Sequence, residues 1–280
     1  MTGRAITKIG DILAIMLAFA NLVINGASML KKKESRSGIY LLPNLLTTAS
    51  LFAAFYSIVA SLNARYETAV IAIFIGMIAD GLDGRIARLT NTQTAFGAEY
   101  DSLSDMVTSG VAPALLLYSW SLQTLGKLGW LVAFIYTAAV ALRLARFNTQ
   151  VETADKRYFQ GLSCPAAAAL VSSFVWLCHQ NQWENFLISI CAAILTATVA
   201  VLMVSNVRYY SFKEIDSKGK VPFLYVLLIV LLFVAIAANP SAVLFIGFML
   251  YALFGPLQTL IALQRMRKQR RQARRNNKEG

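Results

Sequence analysis

The stretch Thr68-Ala69-Val70-Ile71-Ala72-Ile73-Phe74-Ile75-Gly76-Met77-Ile78-Ala79-Asp80-Gly81-Leu82-Asp83-Gly84-Arg85-Ile86-Ala87-Arg88 runs without a polar side chain from Ala69 to Ala79 and then meets two aspartates. A helix over 68–88 is long enough to cross the hydrocarbon of a bilayer, which takes about 20 residues. Its aspartates then fall at or near membrane depth. A carboxylate there costs about 3 kcal/mol even on lenient insertion scales, so it is functional by default.

Outward from this stretch the same apolar pattern repeats. Spans are expected at roughly 41–62, 68–88, 99–120, 128–147, 162–180, 184–206, 221–238 and 240–263, eight in all. Short polar or helix-breaking pieces divide them, such as Asn63 to Glu67, Gln180 to Asn185 and Asn239-Pro240. Composition agrees: 57% of residues are hydrophobic and 14% charged, against about 25% charged in soluble domains. So few charges cannot cover a soluble surface of this size. The expected fold is an all-α polytopic membrane protein, with an N-terminal segment at 1–37, a transmembrane domain at 38–263 and a basic tail at 264–280.

Charge placement orients the bundle. Lys and Arg near span ends are retained on the cytoplasmic side. In the eight-span arrangement only Arg65 and Lys127, of 26 basic residues, fall on the opposite side. Both termini are therefore expected in the cytoplasm, at the inner or plasma membrane of the cell. The net charge of +12 reflects this asymmetry and an attraction to anionic lipid heads rather than to nucleic acid. Ile12 to Ile24 comes after Arg4 and Lys8 as a short apolar run and reads as an amphipathic helix on the membrane surface. Met29, before Lys31-Lys32-Lys33, reads as an alternative start of translation. Cys164, Cys178 and Cys191 lack metal-ligand spacing and read as small packing residues. His179 reads as interfacial.

Asp80 and Asp83 are three apart and share a helix face; Asp101 and Asp105, four apart, share a face of the next helix. The turn Thr90 to Thr94 lets the two helices run antiparallel and brings the pairs together. Four like charges repel unless something positive joins them. Oxygen-only donors suit hard cations such as Mg²⁺ or Mn²⁺, and four carboxylates suffice for two ions, as in phosphoryl-type displacements. Glu99 lies off that face. Gly81, Gly84 and Gly97 leave room for a ligand near the backbone or for a neighbouring helix. Arg88 offers a planar fork for phosphate oxygens, and Thr94 a hydroxyl. Arg143 and Arg146, three apart near a cytoplasmic helix end, suit a lipid diphosphate or an acceptor carboxylate, or anchor the helix by snorkelling.

The run Asp80-x2-Asp83-Gly84-x2-Ala87-Arg88-x8-Gly97-x3-Asp101-x3-Asp105 resembles the signature of the CDP-alcohol phosphotransferases at every defined position. That resemblance implies a six-helix core, here continued by two C-terminal helices, two divalent cations (Mg²⁺ or Mn²⁺), release of CMP and a homodimer. It implies Asp80, Asp83, Asp101 and Asp105 as metal ligands, with Asp105 also the general base. It implies Gly81, Gly84, Ala87, Arg88, Thr94 and Gly97 as contacts to a CDP-lipid. Pro43-Asn44-Leu45-Leu46-Thr47 resembles the family's element for the cytidine side, which adds Pro43, Asn44 and Thr47.

The signature leaves the acceptor alcohol open. Ala141 to Asn148, Gly161 to Ala167 and Met203 to Lys213 resemble the family's phosphatidylserine synthase branch, although Ser163-Cys164-Pro165 stands where Pro-Ser-Pro is more usual. The expected reaction is attack by the serine hydroxyl on the lipid-linked phosphorus of CDP-diacylglycerol, in a single step, with glycerol 3-phosphate and inositol phosphate as alternative acceptors. An intramembrane prenyltransferase would spread its acidic motifs over both halves of the chain. A cation transporter would show internal repeats. Neither pattern is present.

Overall fold

The computed structural model describes residues 41–150, 158–210, 231 and 234–279. The surface helix expected within 1–37 and most of the span expected at 221–238 lie outside the described residues. The α-helices in chain order are α1 (Leu41–Leu62), α2 (Tyr66–Leu89), α3 (Ala95–Asp105), α4 (Ala112–Trp120), α5 (Lys127–Gln150), α6 (Cys164–Gln180), α7 (Phe186–Val204) and α8 (Pro240–Glu279). A π-helical turn, Met106–Val111, joins α3 to α4 without a break. The expected span at 99–120 is thus one helix of two segments.

Local chemistry explains where these helices start and stop. Asn91 takes a left-handed conformation after α2 (φ 52°), and asparagine tolerates that region. Thr94 then caps α3, its hydroxyl accepting from the Gly97 N–H at 2.9 Å. Ser163 stands at the N-cap of α6, with Pro165 in its first turn. Asn181 to Asn185, with Gln182 at φ 57°, makes the tight turn between α6 and α7.

By length and composition four helices suffice to cross a bilayer: α1 from Pro43, α5 to Thr149, α7, and α8 to Thr259. Of the remaining ones, α2 carries too many charges, with Glu67, Asp80, Asp83, Arg85 and Arg88 along it, and α3, α4 and α6 are shorter. At 17 residues, α6 reaches about 26 Å. It is the most enclosed helix, with Ala166 to Val171 buried without interruption. Alanines fill much of the interior, including Ala54, Ala60, Ala69, Ala72 and Ala112. Small residues let membrane helices approach closely, since lipid supplies no hydrophobic drive between them. Large apolar side chains point outwards instead, among them Phe55, Phe134, Ile194, Val201 and Leu250. The chain is a polytopic helical membrane protein.

One feature departs from the all-helical expectation. Tyr158–Gln160 pairs antiparallel with Arg208–Tyr210, Phe159 standing opposite Tyr209. The pairing continues through the Gly161 N–H to the Val207 carbonyl at 2.8 Å and the Leu162 N–H to the Leu202 carbonyl at 3.1 Å. This ribbon ties the entry of α6 to the exit of α7. Gly161 is required there: its φ is 76°, and a Cβ would lie 2.2 Å from the Met203 carbonyl oxygen. Gly161→Ala is expected to destabilise the protein by about 2 kcal/mol or more, read as a thermal transition several degrees lower in detergent.

Candidate active site

The end of α2 and the start of α3 both pack beside α1 and bring their aspartates together. Asp80, Asp83 and Asp101 each place a carboxylate oxygen within 4.8 Å of the others. Asp105 joins them through Asp80, whose carboxyl lies within hydrogen-bond reach of both Asp101 and Asp105. Two ionised carboxylates cannot bond to each other, so a proton or a cation belongs between them. One oxygen each of Asp80, Asp101 and Asp105 is buried without any hydrogen-bond partner. Buried acceptors without partners are costly. An all-oxygen set with three open acceptors fits a hard divalent cation, and this cluster could hold one. Glu99 is exposed and stands outside it.

Asp83 is 3% exposed and accepts from the Thr47 hydroxyl at 2.5 Å. Thr47 in turn is held to α3, its carbonyl accepting from the Ser104 hydroxyl at 3.2 Å. The sequence motif places Thr47 against the nucleotide; the structure adds that it orients a carboxylate. Removing such a support costs about 10-fold in metal affinity. Thr47→Val is therefore expected to weaken Mn²⁺ binding by about that factor, measured by titration of the purified protein.

A cavity of about 460 Å³ opens beside the carboxylates. Its walls include Pro43, Asn44 and Thr47 from α1, Asp83, Gly84, Ala87 and Arg88 from α2, and Thr94, Gly97 and Asp101 from the turn and α3. Eight of the nine residues expected to touch the CDP-lipid line it. The ninth, Gly81, faces outwards. A Cβ at Gly81 or Gly84 would meet nothing within 4 Å, so among the described residues no neighbouring helix requires either glycine. At Gly84 the open space is the cavity itself. The Arg88 guanidinium folds back, its Nε donating to the Gly84 carbonyl at 3.0 Å. Thr92, Gln93, Ala98 and Phe147 also line the cavity and went unmarked in the sequence. The turn position of Thr92 and Gln93 was the available signal for those two; Phe147 lies in the 141–148 segment whose resemblance pointed to the serine branch rather than to the cavity.

Arg143 and Arg146 separate. Arg146 donates to the Asn206 side chain at 2.7 Å and so bridges α5 to the exit of α7. Arg143 is half-buried, its Nε lacks a partner, and its guanidinium lies in electrostatic range of Asp105. Its Nη1 donates to the sulfur of Cys164 at 3.4 Å. Cys164 is buried, as its packing role requires, and also borders this basic group.

Known proteins are similar to this chain in sequence. Residues 40–204 match the family described as CDP-alcohol phosphatidyltransferase. The chain is 36% identical over 230 residues to a CDP-diacylglycerol–serine O-phosphatidyltransferase of Helicobacter pylori, covering 80% of this chain and 93% of that one. The Bacillus subtilis protein of that name is 34% identical over 175 residues, 62% of this chain and 92% of its own. An archaetidylserine synthase of Methanothermobacter thermautotrophicus is 34% identical over 193 residues, 68% and 77% of the two chains.

Proposed function

The chain belongs to the CDP-alcohol phosphatidyltransferase family, and from that premise we propose that it transfers the phosphatidyl group of CDP-diacylglycerol to the hydroxyl of L-serine, giving phosphatidylserine and CMP. The observation that carries this reading is the convergence of the carboxylates beside a cavity lined by two of them, Asp83 and Asp101, and by the basic Arg88. The cavity accepts the CDP end of the lipid, with Asn44 and Thr47 at the cytidine side and Arg88 towards the diphosphate.

Asp80, Asp83, Asp101 and Asp105 would hold two divalent cations, Mg²⁺ or Mn²⁺. Bound there, the ions neutralise charge on the diphosphate and on departing CMP. The chain's own residues do the rest. Asp105 takes the proton from the serine hydroxyl as its oxygen bonds to the lipid-linked phosphorus. The bond from that phosphorus to the CMP oxygen breaks, and CMP leaves with the electron pair. A single displacement inverts the phosphorus. Arg143, beside Asp105, receives the serine carboxylate.

Serine as acceptor is supported by the names of the relatives and by the fold. Two of the three segments that resemble the serine branch, the one that starts at Gly161 and the described part (203–210) of the one that starts at Met203, meet at the β-ribbon, and Cys164 from the first of them touches Arg143. The finer architecture belongs to the same proposal. Helices α1 to α7, with α3 and α4 counted as one, form a six-helix core, and two further helices complete eight crossings. The site and both termini face the cytoplasm, anionic lipids gather at the basic C-terminal stretch, and the chain is a homodimer.

The test is CMP release from CDP-diacylglycerol by the purified protein with Mn²⁺. Serine, glycerol 3-phosphate and inositol phosphate would be compared as acceptors, with Asp105→Asn as control. Serine-dependent release, lost in the variant, is the expected result. Release with another acceptor alone would keep the chemistry and overturn serine; release with none would overturn both.

A further inference from the structure

Directly after Asp105 the helix winds wide, as a π turn over Met106–Val111, before α4 resumes at Ala112. A π turn inserts one residue into an α-helix. It rotates the helix on its N-terminal side against the helix on its C-terminal side by about 100°, one residue's share of a helical turn. Here the N-terminal part carries Asp101 and Asp105, and the C-terminal part buries Leu116, Leu117 and Trp120 in the core. Without the extra residue, the helix that packs these three side chains would point the aspartates elsewhere.

Two residues explain why the turn stays wide. In an α-helix the Ser109 carbonyl would accept from the N–H of residue 113, which is proline and has none. The Ser109 carbonyl accepts instead from the Tyr136 hydroxyl, at 2.9 Å. Tyr136 is 0% exposed, in the middle of apolar α5. A hydroxyl buried there is costly unless it finds a partner. One turn further along α5, Val140 closes on the same segment: a Cβ at Gly110 would come within 3.2 Å of it. From the opposite side Ser50 of α1 meets the Thr108 hydroxyl at 3.2 Å.

We propose that Tyr136 is a positioning residue for the reaction: its bond to Ser109, with Pro113, keeps 106–111 in the π form and so keeps Asp101 and Asp105 in register with Asp80 and Asp83. This rests on reading the carboxylate cluster as a metal site. The role differs from core packing in its consequences. A packing tyrosine governs stability, whereas a positioning one governs the affinity of the carboxylates for the ion.

The experiment measures Mn²⁺ binding to the detergent-solubilised full-length chain by the loss of the free-ion EPR signal, alongside thermal unfolding. Tyr136→Phe is expected to bind Mn²⁺ about 10-fold more weakly and to melt at a lower temperature. Adding Pro113→Ala supplies the Ser109 carbonyl with a backbone N–H, so the double variant regains thermal stability. Its Mn²⁺ affinity stays low, because the segment is now free to rewind as an ordinary α-helix. Unchanged affinity in Tyr136→Phe, or affinity restored in the double variant, would overturn the proposal and leave Tyr136 a role in stability alone. If Tyr136→Phe does not fold, Pro113→Ala alone decides: it is expected to weaken Mn²⁺ binding, and wild-type affinity would overturn the idea. Absence of Mn²⁺ binding by the wild-type chain would instead sink the metal reading and this proposal with it.

Discussion

Replacing Asp105 with asparagine is expected to slow serine-dependent CMP release by about 1,000-fold while Mn²⁺ remains bound, whereas replacing Asp80 is expected to remove both. The contrast comes from the arrangement of the carboxylates. Asp80, Asp83 and Asp101 bring their oxygens within 4.8 Å of one another, and Asp105 joins them through its hydrogen-bond contact with Asp80. Asp80 therefore stands at the centre of the charge that a cation must compensate. Its loss leaves Asp105 without the carboxylate that ties it to the cluster. Asparagine at 105 keeps an oxygen donor for a cation and the shape of the side chain, but it cannot accept a proton at neutral pH. A base of this kind contributes between about 100-fold and 10,000-fold to rate. Mn²⁺ titration and CMP release on the same preparations separate the two roles. Equal loss of Mn²⁺ binding in both variants would mean that Asp105 serves as a ligand alone, and the proton would need another acceptor.

The aspartates were legible in the sequence because two constraints act on them locally. Helical spacing fixes which face each pair occupies, and the apolar run around them makes any charge expensive. Span boundaries were legible for a similar reason. The polar piece Gln180 to Asn185 divides α6 from α7 where the chain turns at Gln182. Other parts depend on contacts between distant residues, which no local pattern reports. Tyr136 in an apolar run looks like any core tyrosine until Ser109, 27 positions earlier, is seen beneath its hydroxyl. The π turn leaves only Pro113 as a trace, and a proline near a helix start has an ordinary meaning too. The β-ribbon joins three-residue strands some fifty positions apart, too short to show an alternating pattern. Thr47 sat in a motif whose resemblance pointed to the nucleotide, and its bond to Asp83 hid behind that meaning.

Arg143 and Arg146 illustrate the same limit, and they carry the second large effect. Their spacing of three suggested one shared role. The fold instead turns Arg146 to Asn206 and leaves Arg143 half-buried beside Asp105, with its Nε unpartnered. Arg143→Ala is expected to lower kcat/KM for serine by about 100-fold, mostly through KM, with little change in KM for CDP-diacylglycerol. Truncating one member of a buried, hydrogen-bonded charge pair costs about 2–5 kcal/mol, and 100-fold is near the lower end of that range. Arg143→Lys keeps the charge but loses the planar fork, so it should recover only part of the loss. Arg146→Ala removes a tie between α5 and the chain after α7; its expected effect is a lower melting temperature with serine KM changed less than about 3-fold. Initial rates over a matrix of serine and CDP-diacylglycerol concentrations distinguish the cases. A rise in KM for CDP-diacylglycerol rather than serine in Arg143→Ala would transfer this guanidinium to the lipid phosphate. Selectivity for serine would then have to come from the ribbon and the residues around Cys164, because Arg143 is the one basic side chain among the described residues that is placed in electrostatic range of Asp105.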